Sequence, residues 1–156
     1  MQLAGLSDHL TGRVVIVGVG NRLKGDDGFG PAMIEMLKGR VEVPLFDCGA
    51  VPENFLKPIR EEKPGTVLVL DAADFSAPPG TIAVIEPARW GGGGFSSHSM
   101  SLRLFADLIS QDTGAGLFLI AVQPKRLGFG EQMSPEVREG CRRLQRWLED
   151  ALGTQG

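Results

Sequence analysis

The sequence predicts a single-domain α/β protein: a three-layer α/β/α sandwich around a twisted, mainly parallel sheet of about five strands. Three observations carry this. Short apolar runs alternate along the chain with segments of helical periodicity, the pattern of βαβ units. Three of those runs, Arg13 to Gly20, Thr66 to Asp71 and Leu117 to Val122, are apolar on successive residues, as expected of strands buried on both faces. The chain has 156 residues, 42% of them hydrophobic and 22% charged, which suits one domain with a sizeable core.

Each element has its own local signal. The Arg13 to Gly20 strand is followed by a helix over Gly28 to Lys38, with Pro31 tolerated in its first turn. Val41 to Asp47 reads as a second strand, and Pro52 to Glu62 as a helix disturbed by Pro58. Thr66 to Asp71 ends on a carboxylate, and Thr81 to Glu86 is a weaker strand after the Pro78-Pro79-Gly80 turn. Ser101 to Thr113 forms a helix with Leu102, Phe105, Leu108 and Ile109 on one face and Ser101 as its cap. After the Leu117 to Val122 strand, the last helix takes Ser134 as N-cap and Pro135 as its first residue. Its apolar face runs through Val137, Cys141, Leu144, Leu148 and Leu152, and Gly153 ends it. Gly91 to Gly94 reads as a flexible loop.

Composition excludes several classes. A net charge of −3 and a pI near 5.4 argue against a protein that grips a phosphate backbone. No apolar run approaches the ~18 residues of a membrane span, and Met1 to Gly12 lack the basic start of a signal peptide. Cys48 and Cys141 lie 93 positions apart, which offers neither a disulfide framework nor a CxxC zinc site. The expectation is a cytoplasmic protein with reduced cysteines. There is no tyrosine, and the only histidines are His9 and His98, so any imidazole chemistry must use one of these two.

In folds of this kind ligands bind outside the carboxyl ends of the strands, and three motifs fall there. The first is Gly18-Val-Gly-Asn-Arg-Leu-Lys-Gly-Asp-Asp-Gly-Phe-Gly30. It fails as a dinucleotide fingerprint because position 23 is Leu where a third glycine belongs, and because Asp26 and Asp27 would repel a pyrophosphate. One aspartate suffices to cap a helix, which leaves the other to face a cation or a substrate. The second motif, Asp71-Ala-Ala-Asp74, closes a buried strand; the third, Ser96-Ser-His-Ser-Met-Ser-Leu102, precedes a helix. Asp27, Asp71 and His98, 44 and 27 residues apart, form a donor set suited to Ni, Zn, Mn or Fe with positions left open for water or substrate. Cys48 has no imidazole nearby in sequence, which disfavours a cysteine nucleophile.

Taken in order, the Gly-Val-Gly-Asn-x-x-x-Gly-Asp-Asp-Gly-x-Gly string, Pro52-Glu53-Asn54, Asp71-Ala-Ala-Asp74, Ser97-His98-Ser-Met100 and Gln123-Pro124 resemble the hydrogenase maturation endopeptidases. The resemblance runs from about Val14 to Trp147, and Asp27 with the Ser-His-Ser-Met string is most similar to the hydrogenase-3, formate-hydrogenlyase-type branch. It implies a phosphorylase/hydrolase-like fold, with residues 1–12 as an N-terminal extension able to form a helix and residues 13–153 as the catalytic α/β domain.

The resemblance further implies an endopeptidase that removes the C-terminal extension of a nickel-loaded nickel–iron hydrogenase large-subunit precursor. Asp27, Asp71 and His98 are the implied catalytic and metal residues. The cofactor is nickel presented by the precursor, for which other divalent metals can substitute in vitro. The partner is that precursor, with no nucleic acid and no membrane, and a monomer is expected. Asn21 and Glu53 are candidates to line the substrate cleft, Gln123 to bond a substrate backbone, and Gly91 to Gly94 to cover His98. Two alternatives stand beside this reading: a non-catalytic nickel-binding or docking protein of hydrogenase assembly, and a peptidase of the same fold acting without metal.

Overall fold

The computed structural model describes residues 1–90 and 96–153, so the expected Gly91 to Gly94 loop lies outside the described residues. Five strands form one sheet in the order β2-β1-β3-β5-β4: β1 (Val14–Gly18), β2 (Leu45–Asp47), β3 (Thr66–Ala72), β4 (Ile82–Ile85) and β5 (Gly116–Val122). All neighbours are parallel except β4, which runs antiparallel to β5 at the edge. The helices are α1 (Leu3–Leu6), α2 (Phe29–Leu37), α3 (Leu56–Glu61), α4 (Ser99–Thr113) and α5 (Pro135–Leu152).

The successive apolar residues of β1, β3 and β5 feed two cores, one on each face of the sheet, because side chains alternate along a strand. Ile16, Leu68, Leu70, Ile120 and Val122 meet Phe29, Met33 and Leu37 of α2 and Val137, Leu144 and Leu148 of α5. Val15, Val17, Val67, Val69 and Leu119 meet Ile59 of α3 and Leu102, Phe105 and Ile109 of α4. Gly30 is where α2 crosses the sheet: a Cβ there would press into the carbonyls of Val19 and Leu70. Leu6 of α1 is fully buried in the first of these cores, and Val84 of β4 exchanges backbone hydrogen bonds with Met1.

Three boundaries differ from the sequence expectation. The second strand begins at Leu45 rather than Val41: Val41 instead forms an isolated bridge with Gly153, and Pro44 offers no amide, only the carbonyl that accepts from Ile16. Pro58 does not disturb its helix, since the chain makes a 3₁₀ turn over Pro52–Phe55 and restarts as α3, placing Pro58 in the first turn, where amides lack intrahelical partners. The fourth helix begins at Ser99, so Ser101 lies inside α4 and is not its cap. By contrast, Ser134 caps α5 as expected, its hydroxyl accepting from the Val137 amide at 3.4 Å.

The chain leaves β1 toward β2 on one side and β3 toward β5 on the other. The crevice at the carboxyl ends of β1 and β3 is therefore the topological switch point, the usual ligand site of an open parallel sheet.

Candidate functional site

Three separate segments deliver Asp27, Asp71 and His98 to that crevice. Asp27 sits in a 3₁₀ turn, Gly25–Gly28, reached by the loop leaving β1. Gly20 lets this turn fold back: its φ of +149° and the Asp27 carbonyl lying against it exclude any side chain. Asp71 is the penultimate residue of β3 and fully buried, and His98 stands immediately before α4. One ligand atom from each of the three lies within 4.8 Å of the others.

The pair of adjacent aspartates divides its labour, and neither caps α2. The buried Asp26 carboxylate accepts from the amides of Lys125, Arg126 and Ser134 at 2.8, 3.0 and 2.7 Å and from the Ser134 hydroxyl at 2.9 Å. It clamps the loop after β5 onto the loop after β1. Asp27 faces the crevice, accepting from the Asn21 amide at 3.0 Å and the Ser97 hydroxyl at 3.2 Å, and its Oδ2 lies 3.1 Å from His98 Nε2. The Ser96 hydroxyl donates to Asp71 Oδ2 at 2.7 Å and accepts from the His98 amide at 3.0 Å, tying the histidine to the strand.

The electrostatics follow from burial and pairing. Burial pushes the Asp71 carboxyl up to about 7, against the lowering effect of the Ser96 hydroxyl and of His98. Burial also opposes ionisation of Asp27, but hydrogen bonding and the charge of His98, with the Asn21 amide and Ser97 hydroxyl, hold it below its ordinary value. His98 is raised by its bond to Asp27, which outweighs the lowering effect of burial, with Asp71 adding to the rise. The second Asp71 oxygen, Oδ1, is buried with no hydrogen-bond partner among the described residues. A buried orphan acceptor is expensive, and here it sits among a second carboxylate and an imidazole. Two oxygen donors and one nitrogen donor, one of them unsatisfied, fit a divalent transition metal.

The family model described as hydrogenase maturation protease (HycI) matches residues 31–151. The hydrogenase 3 maturation protease of Escherichia coli K12 is 33% identical over 147 residues, covering 91% of this chain and 92% of the relative. The chain belongs to the hydrogenase maturation proteases. Among solved structures, a [NiFe] hydrogenase maturation protease HycI from Thermococcus kodakarensis superposes with a TM-score of 0.86 at 34% identity, covering 95% of this chain and 98% of that one. The maturating endopeptidase HybD of Escherichia coli, 23% identical with a TM-score of 0.70, shares the fold.

Other residues of this maturation protease have plainer work than the sequence allowed. Asn21 uses its side-chain oxygen on the Leu23 amide, a turn bond, while its own amide holds Asp27. Gln123 does not face the crevice as a free acceptor: Oε1 takes the Phe75 amide at 2.8 Å and Ala77 at 3.3 Å, and Nε2 donates to Asp74, fixing the loop after β3. Glu53 accepts from Ser101 at 3.4 Å. Burial raises the Cys48 thiol to about 12, so it is inert as a nucleophile. Ser96 and Ser97 were missed as site residues; their signal was a run of hydroxyls around the one histidine placed at a strand-end loop.

Proposed function

We propose that this protease removes the C-terminal extension of a nickel–iron hydrogenase large-subunit precursor, acting as a monomer in the cytoplasm, and that Asp27, Asp71 and His98 recognise nickel already held by that precursor. The observation that carries the proposal is the convergence of three ligand atoms within 4.8 Å at the switch point of a maturation-protease fold. Three protein ligands leave coordination positions for the substrate's own donors, so the site favours metal that arrives bound to protein. No described helix is long and apolar enough to cross a membrane.

Nickel carried by the precursor and held by Asp27, Asp71 and His98 would supply Lewis acidity to the scissile peptide. The chain's own groups prepare for it. Ser97 and the Asn21 amide hold the Asp27 carboxylate toward the crevice, and Ser96 fixes one Asp71 oxygen while leaving Oδ1 for the incoming cation. His98 must release its proton to ligate, and Asp27, 3.1 Å away, is the group that gives up a hydrogen bond when it does. In the alternative in which Asp71 holds no metal, its carboxyl, raised to about 7, has the affinity for a proton that a general base acting on water requires near neutrality.

The test is mass spectrometry of a purified nickel-loaded precursor incubated with wild type, Asp27→Asn and His98→Ala. Loss of a short C-terminal peptide with the wild type and its retention with both variants is the expected result. Cleavage by His98→Ala at the wild-type rate would remove the histidine from metal recognition.

A further inference from the structure

Exposed large hydrophobic side chains are few among the described residues, and most of them border the crevice. Leu23, 65% exposed, lies on the loop that holds Asp27; Leu127 and Phe129, the latter 73% exposed, lie on the loop after β5; and Met100, 89% exposed, follows His98 by two residues. The first two loops form one surface. Gly130 donates to the Leu23 carbonyl at 2.8 Å, Gly25 to Glu131 at 3.1 Å and Asp26 to Arg126 at 2.8 Å, and the Asp26 carboxylate locks the base of both. The Lys24 ammonium lies 5.8 Å from the centre of the Phe129 ring. Apolar side chains scattered singly over a surface are ordinary, whereas ones gathered on neighbouring loops bonded to each other mark an interaction site.

We propose that Leu23, Leu127 and Phe129, with Met100 in the first turn of α4 two residues after His98, form the docking surface for the folded body of the metal-bearing precursor, as distinct from its scissile tail; this rests on the function proposed above. Two observations select that occupant over a free peptide or a second copy of the chain. The patch is continuous with the metal site, since the Asn21–Gly25 turn presents Leu23 and also donates the amide that holds Asp27. Its charge also opposes that of the rest of the molecule. Residues 21–25 and 125–133 carry Arg22, Lys24, Lys125 and Arg126 against the single exposed carboxylate of Glu131, in a chain of net charge −3. Arg22 and Lys125 are answered by Asp47 and Glu136, whereas Lys24 and Arg126 make no ion pair among the described residues. An acidic protein surface around an apolar centre is the complement, and a second copy of this acidic chain is not.

The test compares wild type with the paired variant Leu23→Ser/Phe129→Ser, both positions being exposed enough for the fold to tolerate serine. Affinity for the full nickel-loaded precursor is measured by interferometry, independently of cleavage, alongside Ni²⁺ titration and sedimentation of each protein alone. The expected result is a loss of precursor affinity of about tenfold or more, a matching rise in KM with kcat kept, and unchanged Ni²⁺ binding. Equal affinities would overturn the docking surface even if the precursor is cut. Self-association of the wild type that the variant abolishes would assign the patch to a second copy instead and overturn it equally. Tight binding lost in the variant, with no cleavage by the wild type, would support docking while removing the proposed proteolysis.

Discussion

Replacing Asp71 by asparagine is expected to stabilise the protein at alkaline pH while disabling its metal site. The carboxyl is fully buried on β3, accepts one hydrogen bond from Ser96 and leaves Oδ1 without a partner among the described residues. Its ordinary value of 3.8 is raised to about 7 in the folded protein. Between those values the unfolded chain has lost the proton and the folded chain keeps it, so stability falls as pH rises through that window and stays lower above it. Roughly three pKa units correspond to about 4 kcal/mol of disfavoured ionisation above pH 7. Asparagine keeps the Ser96 bond through its oxygen but must satisfy an amide beside Asp27, which costs about 1–3 kcal/mol. A net gain of roughly 1–3 kcal/mol near pH 8 follows, shrinking toward zero or reversing near pH 4.5, where the carboxyl is already largely protonated. Urea unfolding at both pH values, with Ni²⁺ titration of the same samples, measures this. An asparagine variant less stable than wild type at pH 8, or a difference that does not vary with pH, would refute the claim that Asp71 is held as a strained, unsatisfied acid.

Four further outcomes are expected. Ni²⁺ affinity weakens as pH falls through about 7, because Asp71 and His98 both hold protons longer than usual and must give them up to ligate; calorimetry in buffers of different ionisation enthalpy reads the released protons. His98→Ala removes the only nitrogen donor and lowers Ni²⁺ affinity by at least about tenfold while leaving the thermal midpoint within a few degrees. Asp26→Ala removes the acceptor of the Lys125, Arg126 and Ser134 amides and of the buried Ser134 hydroxyl and is expected to cost about 3–5 kcal/mol in urea unfolding, since the loops after β1 and β5 lose their common anchor. Gly30→Ala forces a methyl against the Val19 and Leu70 carbonyls, so α2 must lift from the sheet; a loss of about 2 kcal/mol or more, read as a lowered urea midpoint, is expected.

The sheet was legible because its strands are written as successive apolar residues, and α5 because Ser134-Pro135 marks its start and its apolar stripe is regular. The start of the short β2 was not, since the apolar signal of Val41 and Val43 serves packing beside the sheet rather than pairing within it. The start of α4 was misplaced because the serines around His98 all look like caps, while in the structure Ser99 bonds back to Ser96 and Ser101 reaches Glu53. Asp27, Asp71 and His98 could be chosen from sequence because each closes a strand-end loop and imidazoles are scarce. What the sequence left open was the work of the neighbouring Asp26. That depends on contacts about a hundred residues away, with Lys125, Arg126 and Ser134, which no local pattern records. The same distance hides the apolar surface, since the loops that carry Leu23 and Phe129 meet only after the sheet forms.

The most direct measurement is mass spectrometry of one large-subunit precursor prepared nickel-loaded and nickel-free, each incubated with the wild-type protein. Loss of a short C-terminal peptide from the loaded form alone is expected if Asp27, Asp71 and His98 read the metal in the substrate. Equal cleavage of both forms would contradict metal recognition by these three residues, and cleavage of neither would contradict the proposed substrate.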